Sequence, residues 1–246
     1  MMAGSILITG ASSGIGAALA QRYAAPGTRL LLWGRHEARL AAVAAACEAK
    51  GAAASVTVLD LRQSEALIAR LEALDETPAL AILNAGIGGV PDAEGETPPH
   101  IEMIAAVNFT APLLAATLLS RAMVSRGQGH IVLMGSIAEC IPLPMAPSYA
   151  ASKAGLAMFA EALSVKLSGT GVAVTLVSPG FIDTPMSQGL PNPRPFLVTA
   201  EAAADILFRK LPRRPARIVI PWQFAVIGWL VRTLPRALVR FVLKRV

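Results

Sequence analysis

Short apolar runs alternate with alanine-rich stretches of helical period along almost the whole chain, and no other feature limits its fold so tightly. Residues 5–9, 29–33, 55–59, 79–83, 130–134, 172–177 and 217–220 read as strands. Helical patterns lie between them at about 14–25, 36–50, 63–74, 100–126, 148–168 and 199–210. Thr97 followed by Pro98 marks a helix start, a cap and then a first-turn proline. A strand that is apolar on both faces needs cover on both faces. The alternation therefore specifies an α/β chain with a parallel sheet and helices on either side. The hydrophobic share of 54% against a charged share of 15% agrees. No repeat and no linker divides the 246 residues, so residues 1–220 read as one domain and 221–246 as a tail on it. The stretch 180–198, rich in Pro, Gly, Asn and Ser, is long for a connection and reads as a substrate loop.

The first strand runs into Thr9-Gly-Ala-Ser-Ser-Gly-Ile-Gly16 and then a helix. Gly10 permits a sharp turn, and Gly14 and Gly16 permit close approach of backbone and helix to a pyrophosphate. The helix start supplies N–H groups and positive dipole for that anion. Ser12, Ser13 and Ile15 complete the candidate loop. After the second strand, Gly34 stands where dinucleotide folds that take NAD place an acid, and Arg35 follows. A guanidinium there pairs with a 2′-phosphate, which favours NADP(H) and leaves NAD(H) as the alternative. Asp60, with Leu61 after it, stands where it can accept from an adenine amine, and a helix cap reads equally well for Asp60. Asn84, Ala85 and Gly86 follow the fourth strand and line the same cleft.

Tyr149 and Lys153 lie four residues apart in a helical segment that opens at Pro147, so they share one helical face. An ammonium beside a phenol favours the phenolate, and a group with an ordinary pKa of about 10 is then usable as an acid/base nearer neutrality. In isolation such a pair is usually a solvated surface contact. Ser136, thirteen residues before Tyr149, and Asn108 within a helix give it company.

With TGASSGIG, Asn84-Ala-Gly86, Asn108, Ser136, Tyr149-xxx-Lys153 and Ser178-Pro179-Gly180 in this order, the chain resembles the short-chain dehydrogenase/reductase family over about residues 1–220. The TGxxxGxG spacing differs from the TGxxGxxG of extended epimerase and dehydratase relatives, and the enoyl reductases space Tyr and Lys farther apart. The resemblance implies a Rossmann-type, doubly wound domain with a seven-stranded, mainly parallel sheet in the order 3-2-1-4-5-6-7. It implies an NAD(P)-dependent oxidoreductase acting on a carbonyl or secondary alcohol. Tyr149 is then the general acid/base, and Lys153 lowers its pKa and holds the nicotinamide ribose. Ser136 binds the substrate oxygen, and Asn108 anchors a water between Lys153 and solvent. Pro179, Gly180, Ile182 and Thr184 fall where the family contacts the nicotinamide carboxamide. Ser13 stands where some NADP-preferring relatives carry a second basic residue, so Arg35 bears that preference alone. The family's usual assembly, a homodimer or homotetramer, runs through helices at about 100–126 and 148–168.

The pocket segments 137–145, 88–96 and 186–198 are mostly apolar in the first, with Leu190, Phe196 and Leu197 as further cover, which points to an apolar substrate. Cys140 reads as an inert buried thiol beside them. Two separated cysteines and three scattered histidines make neither a disulfide framework nor a metal site. The net charge of +6 is uneven: residues 205–246 hold ten Lys/Arg and one acid, and the rest hold twelve against fifteen. That is not the broad basic face of a nucleic-acid binder. The apolar run 218–231 is too short to span a bilayer, which takes about 20 residues. Beyond Pro235, Arg236, Arg240 and Lys244 recur at helical spacing opposite Leu238, Val239, Val242, Leu243 and Val246. With Trp222 and Trp229, this tail suits either a membrane interface or packing on a partner subunit. A first strand beginning at Ser5 leaves no room for a cleavable signal peptide, so the expected place is the cytoplasm, with attachment at the inner membrane face as the tail's contribution. A silent dinucleotide-binding sensor and a membrane-docked interaction protein are the competing functions.

Overall fold

A computed structural model describes residues 4–88, 95–189 and 194–235. The expected basic helix with Arg236, Arg240 and Lys244, pocket residue Leu190 and most of segment 88–96 lie outside the described residues. Among the described residues nine strands follow in chain order: β1 (Ser5–Thr9), β2 (Arg29–Gly34), β3 (Ala53–Val58), β4 (Leu80–Leu83), β5 (Gly129–Met134), β6 (Val172–Pro179), β7 (Ile182–Asp183), β8 (Val198–Thr199) and β9 (Arg217–Ile220). Seven of them form one parallel sheet in the order β3-β2-β1-β4-β5-β6-β9. This is the expected order, and its seventh strand is β9 because β7 and β8 pair apart from the sheet.

Side chains along each strand alternate between two cores, as the two-residue period of a pleated strand requires. Ile6, Ile8, Leu30, Leu32, Leu80, Ile82 and Val132 face the first core. Leu7, Leu31, Trp33, Ala81, Leu83, Ile131 and Leu133 face the second. The first is closed by α1 (Gly14–Tyr23), α2 (Glu37–Glu48) and α8 (Ala200–Lys210), through residues such as Leu19, Leu40, Val43 and Leu207. The second is closed by α3 (Ser64–Glu72), α5 (Ala111–Ser125) and α6 (Pro147–Lys166), through Leu67, Leu119, Met123, Leu156 and Leu163. Each such side chain stabilises the fold by about 1.5–3 kcal/mol through removal from water.

The helix expected over 100–126 begins at Pro98, where Thr97 holds the cap position without a side-chain bond. It runs as α4 (Pro98–Ala105), a π turn (Ala106–Thr110) and α5. The π turn has a readable cause. Pro112 has no N–H for the carbonyl of Asn108, four residues earlier, and its ring crowds that carbonyl, so the ladder slips by one residue there. Among the described residues Pro98–Ser125 is the one helix long and apolar enough to cross a membrane, and half of its apolar window is buried inside the protein.

The loop over 180–198 is more ordered than its composition implies. Its described part contains α7 (Pro185–Gln188), held by a reciprocal Thr184–Ser187 capping box, and β7 pairs with β8 to close its base. The chain then reaches α9 (Gln223–Thr233), which presents Phe224 inward and leaves Trp222 and Trp229 68% and 64% exposed.

Candidate active site

The glycine turn, Arg35, Asp60, Asn84–Gly86, Ser136 and Pro179–Gly180 lie at or just beyond the carboxyl ends of the parallel strands, where an open α/β sheet forms its crevice, and helices bring in Asn108, Tyr149 and Lys153. At the end of β1 the glycine turn is dictated by crowding. A Cβ on Gly10 would sit 2.8 Å from the Ala85 Cα, and one on Gly16 would sit 2.3 Å from the Gly10 carbonyl oxygen. Gly10 and Gly14 also have φ of 67° and 54°, in the region where only glycine is at ease. Asn84 braces the turn by donating to the carbonyls of Thr9 and Gly10 at 3.1 and 3.3 Å, and the Ala85 N–H donates to the Thr9 hydroxyl at 3.1 Å. Ser13 takes the cap position of α1 but makes no side-chain cap bond, and Ile15 packs on the first core. The helix start therefore turns its N–H groups toward the turn without a side-chain acceptor from Ser13. That arrangement fits a pyrophosphate.

At the end of β2, Gly34 lies open toward the Ser12 hydroxyl, 3.6 Å from where its Cβ would be. Arg35 follows, near enough to Asp60 to lower its pKa by charge. The Asp60 carboxylate is engaged with a residue the sequence reading passed over. Arg62 donates to it from Nη2 at 2.5 Å and from Nε at 2.9 and 3.1 Å, and the Arg62 N–H adds a bond at 3.0 Å. The Arg62 hydrogen bond is the main cause that holds Asp60 below the usual carboxylate range. Asp60 is thus an ion-pair and loop-capping residue here. Leu61 and Ala85 line a small apolar cleft with Thr9, Leu83 and Val107.

Asn108 is wholly buried in the π turn. Its amide accepts from the Ile87 N–H at 2.8 Å and donates to the Ile87 carbonyl at 3.0 Å, so it braces the segment after Gly86. The Asn108 main-chain carbonyl, whose α-helical donor Pro112 lacks, is a further acceptor on this residue.

Ser136 follows β5 and opens a 3-10 turn, Ile137–Glu139, its hydroxyl accepting from the Ala138 N–H at 3.2 Å. That hydroxyl also hydrogen-bonds Tyr149. Tyr149 and Lys153 share one face of α6, with the ammonium 5.7 Å from the centroid of the phenol ring. Lys153 is buried, and its Nζ donates to the Met134 carbonyl at 2.9 Å. Burial pushes its pKa down to about 8, against an opposing pull from the Glu139 carboxylate. Tyr149 departs from expectation: burial pushes the phenol above its ordinary value, and only the Ser136 hydrogen bond acts the other way. The ammonium is turned to the Met134 carbonyl, so in this arrangement it does not hold the phenol low.

The start of α6 is fixed by Glu96, the last residue of pocket segment 88–96. Its carboxylate accepts from the Ser148 N–H at 3.1 Å and from the Ser148 hydroxyl at 2.6 Å. A carboxylate is favourable at a helix start, and its spacing from Ser148 in sequence hides it. Pro179 ends β6, and the Gly180 N–H donates to the Ile220 carbonyl at 2.7 Å. Ile182 is buried in β7, and Thr184 rests against Gly14, its Cγ2 3.0 Å from where a Gly14 Cβ would be. The lid base thus touches the glycine turn directly.

Comparison with known proteins gives this geometry a context. The family model for short chain dehydrogenases matches residues 5–194. An uncharacterized oxidoreductase of Myxococcus xanthus is 34% identical over 235 residues, 94% of this chain and 93% of that protein. A short-chain dehydrogenase from Sphingobium yanoikuyae, solved in complex with NADPH, is 27% identical with a TM-score of 0.81, over 95% of this chain and 97% of that one. The bulky-bulky ketone specific alcohol dehydrogenase from Comamonas testosteroni is 26% identical with a TM-score of 0.78, over 95% and 96%.

Proposed function

Because the chain belongs to the short-chain dehydrogenase family and is an oxidoreductase of that family, we propose that it moves a hydride between NADP(H) and an apolar ketone or secondary alcohol, with Tyr149 as general acid/base. The observation that carries this reading is the convergence of Ser136, Tyr149 and Lys153 beyond β5, beside a glycine turn that leads into a helix start. When bound, the nicotinamide supplies or accepts the hydride. Gly10, Ser12, Gly14, Ile15 and Gly16 would hold the pyrophosphate, Arg35 the 2′-phosphate, and Ile182 and Thr184 the carboxamide. The neighbour solved with NADPH supports this preference over NAD(H).

The residues divide the work as follows. Ser136 donates to the oxygen of the carbonyl and fixes it beside the Tyr149 hydroxyl. Tyr149, held protonated at neutral pH by burial, is in the state that donates a proton during reduction. Lys153 brings positive charge into a buried site, steadying the phenolate left behind. Asn108 keeps the π turn and the Gly86 segment in place beside them. The aromatic cover of Phe181, Phe196 and Phe224, and a structural neighbour named for bulky ketones, support the apolar substrate class.

The test is turnover on a panel of ketones and alcohols, long-chain, sterol-like and cyclic, run in both directions with both cofactors. Tyr149→Phe is expected to lower kcat by about 10²–10⁴-fold while NADPH still quenches protein fluorescence. A wild-type chain that binds NADPH and turns over nothing on the panel favours the sensor reading instead.

Two surfaces support assembly and docking. Met158 and Val165 on α6 are 66% and 78% exposed, which supports a homodimer or homotetramer through α5 and α6, read by sedimentation. On α9, Trp222, Val226, Trp229 and Leu230 form an exposed apolar stripe, and the sequence beyond adds Arg236, Arg240, Lys244 and Arg245. That pairing of apolar face and positive charge favours an anionic lipid surface. Flotation with anionic vesicles, lost on deletion of 221–246, is the expected result; loss of the oligomer alone on deletion assigns the stripe to a partner subunit.

A further inference from the structure

A buried carboxylate with charged partners lies close to Ser136. The Glu139 side chain is only 1% exposed. A carboxylate so far from water needs compensation, or it is strongly destabilising. Arg217 of β9 pairs with it through one guanidinium nitrogen and with Glu161 through the other at 2.8 Å. Ser178 of β6 donates its hydroxyl to Glu139 at 3.1 Å. Glu139 also crowds β5: a Cβ on Gly135 would lie 3.2 Å from its Oε2 and 3.0 Å from the Val177 carbonyl. Met134, the neighbour of Gly135, supplies the carbonyl that Lys153 holds at 2.9 Å. The ammonium thus bonds one residue of this short segment and the carboxylate lies packed against the next, while it is itself tied to the ends of β6 and β9.

We propose that Glu139 is a positioning residue for the reaction: its buried carboxylate, tied to β6 and β9, holds in place the Met134–Ser136 segment on which the Lys153 ammonium is seated, and Arg217 sets how strongly it does so. The proposal rests on the reading of Lys153 as part of the hydride-transfer site. The turn that carries Glu139 is capped by the Ser136 hydroxyl itself, so the two cannot move independently. The side chains beside Lys153 are the Tyr149 ring of α6 and the neutral Asn108 of the π turn. The elements packed around it also carry Glu161 farther along α6, Glu96 at the start of that helix, Cys140 on the Ser136 turn and Arg217 on β9. Glu139 is the carboxylate whose charge acts on Lys153 against the effect of burial.

Because Glu139 and Arg217 have opposite charge, removing one or the other makes opposite demands on Lys153. Glu139→Gln keeps the shape and an oxygen for the Ser178 hydroxyl but removes the negative charge. Arg217→Gln leaves the carboxylate unneutralised on that side. The measurement is a pH titration of the full chain with ε-13C-lysine, followed by NMR, with Lys153→Met to assign the signal. Wild-type Lys153 is expected to titrate near 8, Glu139→Gln about one unit lower, and Arg217→Gln higher. Glu139→Asp should recover part of the shift. In turnover, the alkaline limb of kcat/KM for carbonyl reduction moves in the same directions. Midpoints that coincide in all variants, or move the same way in both charge-removing ones, overturn the proposal. Should Glu139→Gln not fold, Arg217→Gln alone decides by its upward shift. The titration needs no substrate, so a wild-type chain without turnover would refute the functional reading and leave this result standing.

Discussion

At the end of the cleft assigned to the cofactor, main chain meets main chain. Gly16 has no side chain because the Gly10 carbonyl is there, and Gly10 has none because Ala85 is there. At the lid end, side chains meet main chain and one another. Gly180 is small because the Phe224 ring lies 2.3 Å from where its Cβ would be. Phe224 meets Phe181 and Phe196 edge-on, with centroids 6.0 and 5.8 Å apart, and Gly228 lets α9 settle on Cys140. The first end is made by eight consecutive residues and a brace from Asn84. The second is made by residues from three separate stretches of chain. A local turn built of backbone has one shape, whereas a lid of aromatic rings can be refitted to a different substrate while the frame beneath stays intact.

The sharpest way to break this contrast is Phe224→Ala. Phe224 is 6% exposed, and loss of so large a buried ring costs about 3–5 kcal/mol. If the lid is separate from the cofactor end, thermal scans should show an early loosening, KM for ketones should rise, and Kd for NADPH should hold. A parallel loss of NADPH affinity would mean that the two ends are one unit, coupled through the contact of Thr184 with Gly14.

The contrast also requires that both ends stand on one frame, and His130 offers a handle on that frame. It is wholly buried at the start of β5, between Leu80 and Ala173 of the flanking strands. The Thr175 hydroxyl donates to the Pro215 carbonyl at 2.5 Å and lies 2.8 Å from His130 Nε2, so Nε2 carries the proton and donates to it. Nδ1 has no hydrogen-bond partner. Burial, helped by the charge of Arg214, pushes the His130 pKa down to about 4 from 6.5. The unfolded chain therefore binds more protons between those values. The contribution is complete above pH 6.5 and is lost as pH falls toward 4, about 3 kcal/mol in all. Denaturant titrations across that window should show the slope in wild type and a flatter profile in His130→Gln. Cofactor and substrate readouts should fall together.

How much of each end was legible in sequence follows from the same contrast. The glycine turn, Asn84, Ser136, Tyr149 and Lys153 were readable because their roles depend on spacing within a strand, a turn or a helix. The inner sheet strands were readable because burial on both faces leaves near-continuous apolar runs, and the edge strand β3 is only partly buried. The contacts of Arg62, Glu96 and Glu139 were not, Arg62 for one reason and the two glutamates for another. Arg62 differs from a surface arginine only in the carboxylate two residues before it. Glu96 meets Ser148 from 52 positions away, and Glu139 meets Arg217 from 78. The π turn was signalled by Pro112, four residues after Asn108, in a stretch whose apolar period otherwise reads as unbroken helix. The lid's small β7–β8 pair was hidden because two-residue strands leave no alternation to read.

Gly16→Ala sharpens the comparison from the cofactor side. The added methyl would meet a carbonyl oxygen 2.3 Å away, and backbone cannot swing aside as a side chain does. Overpacking of this kind costs about 1–3 kcal/mol. The loss should appear as weaker NADPH binding with little change in the relative ranking of ketones. Calorimetry of NADPH binding beside the substrate panel separates the two. An altered ranking with unchanged NADPH affinity would reverse the assignment of the two ends.

The smallest expected effect is also the most selective. Arg35 follows Gly34 at the tip of β2, and its charge reaches Asp60, which Arg62 already neutralises. Arg35 is thereby left with charge to offer a 2′-phosphate. Arg35→Asp removes that charge and supplies the acid that a ribose 2′-hydroxyl prefers. A charge-assisted hydrogen bond is worth about 2 kcal/mol, so kcat/KM with NADPH should fall roughly thirtyfold while that with NADH holds or rises. Neither Tm nor the ranking of ketones should move, because the side chain packs on neither core. If NADPH and NADH efficiencies fall together, Arg35 serves the turn rather than the phosphate. The basic residue that selects NADPH would then be Arg62, released from Asp60 when the phosphate arrives.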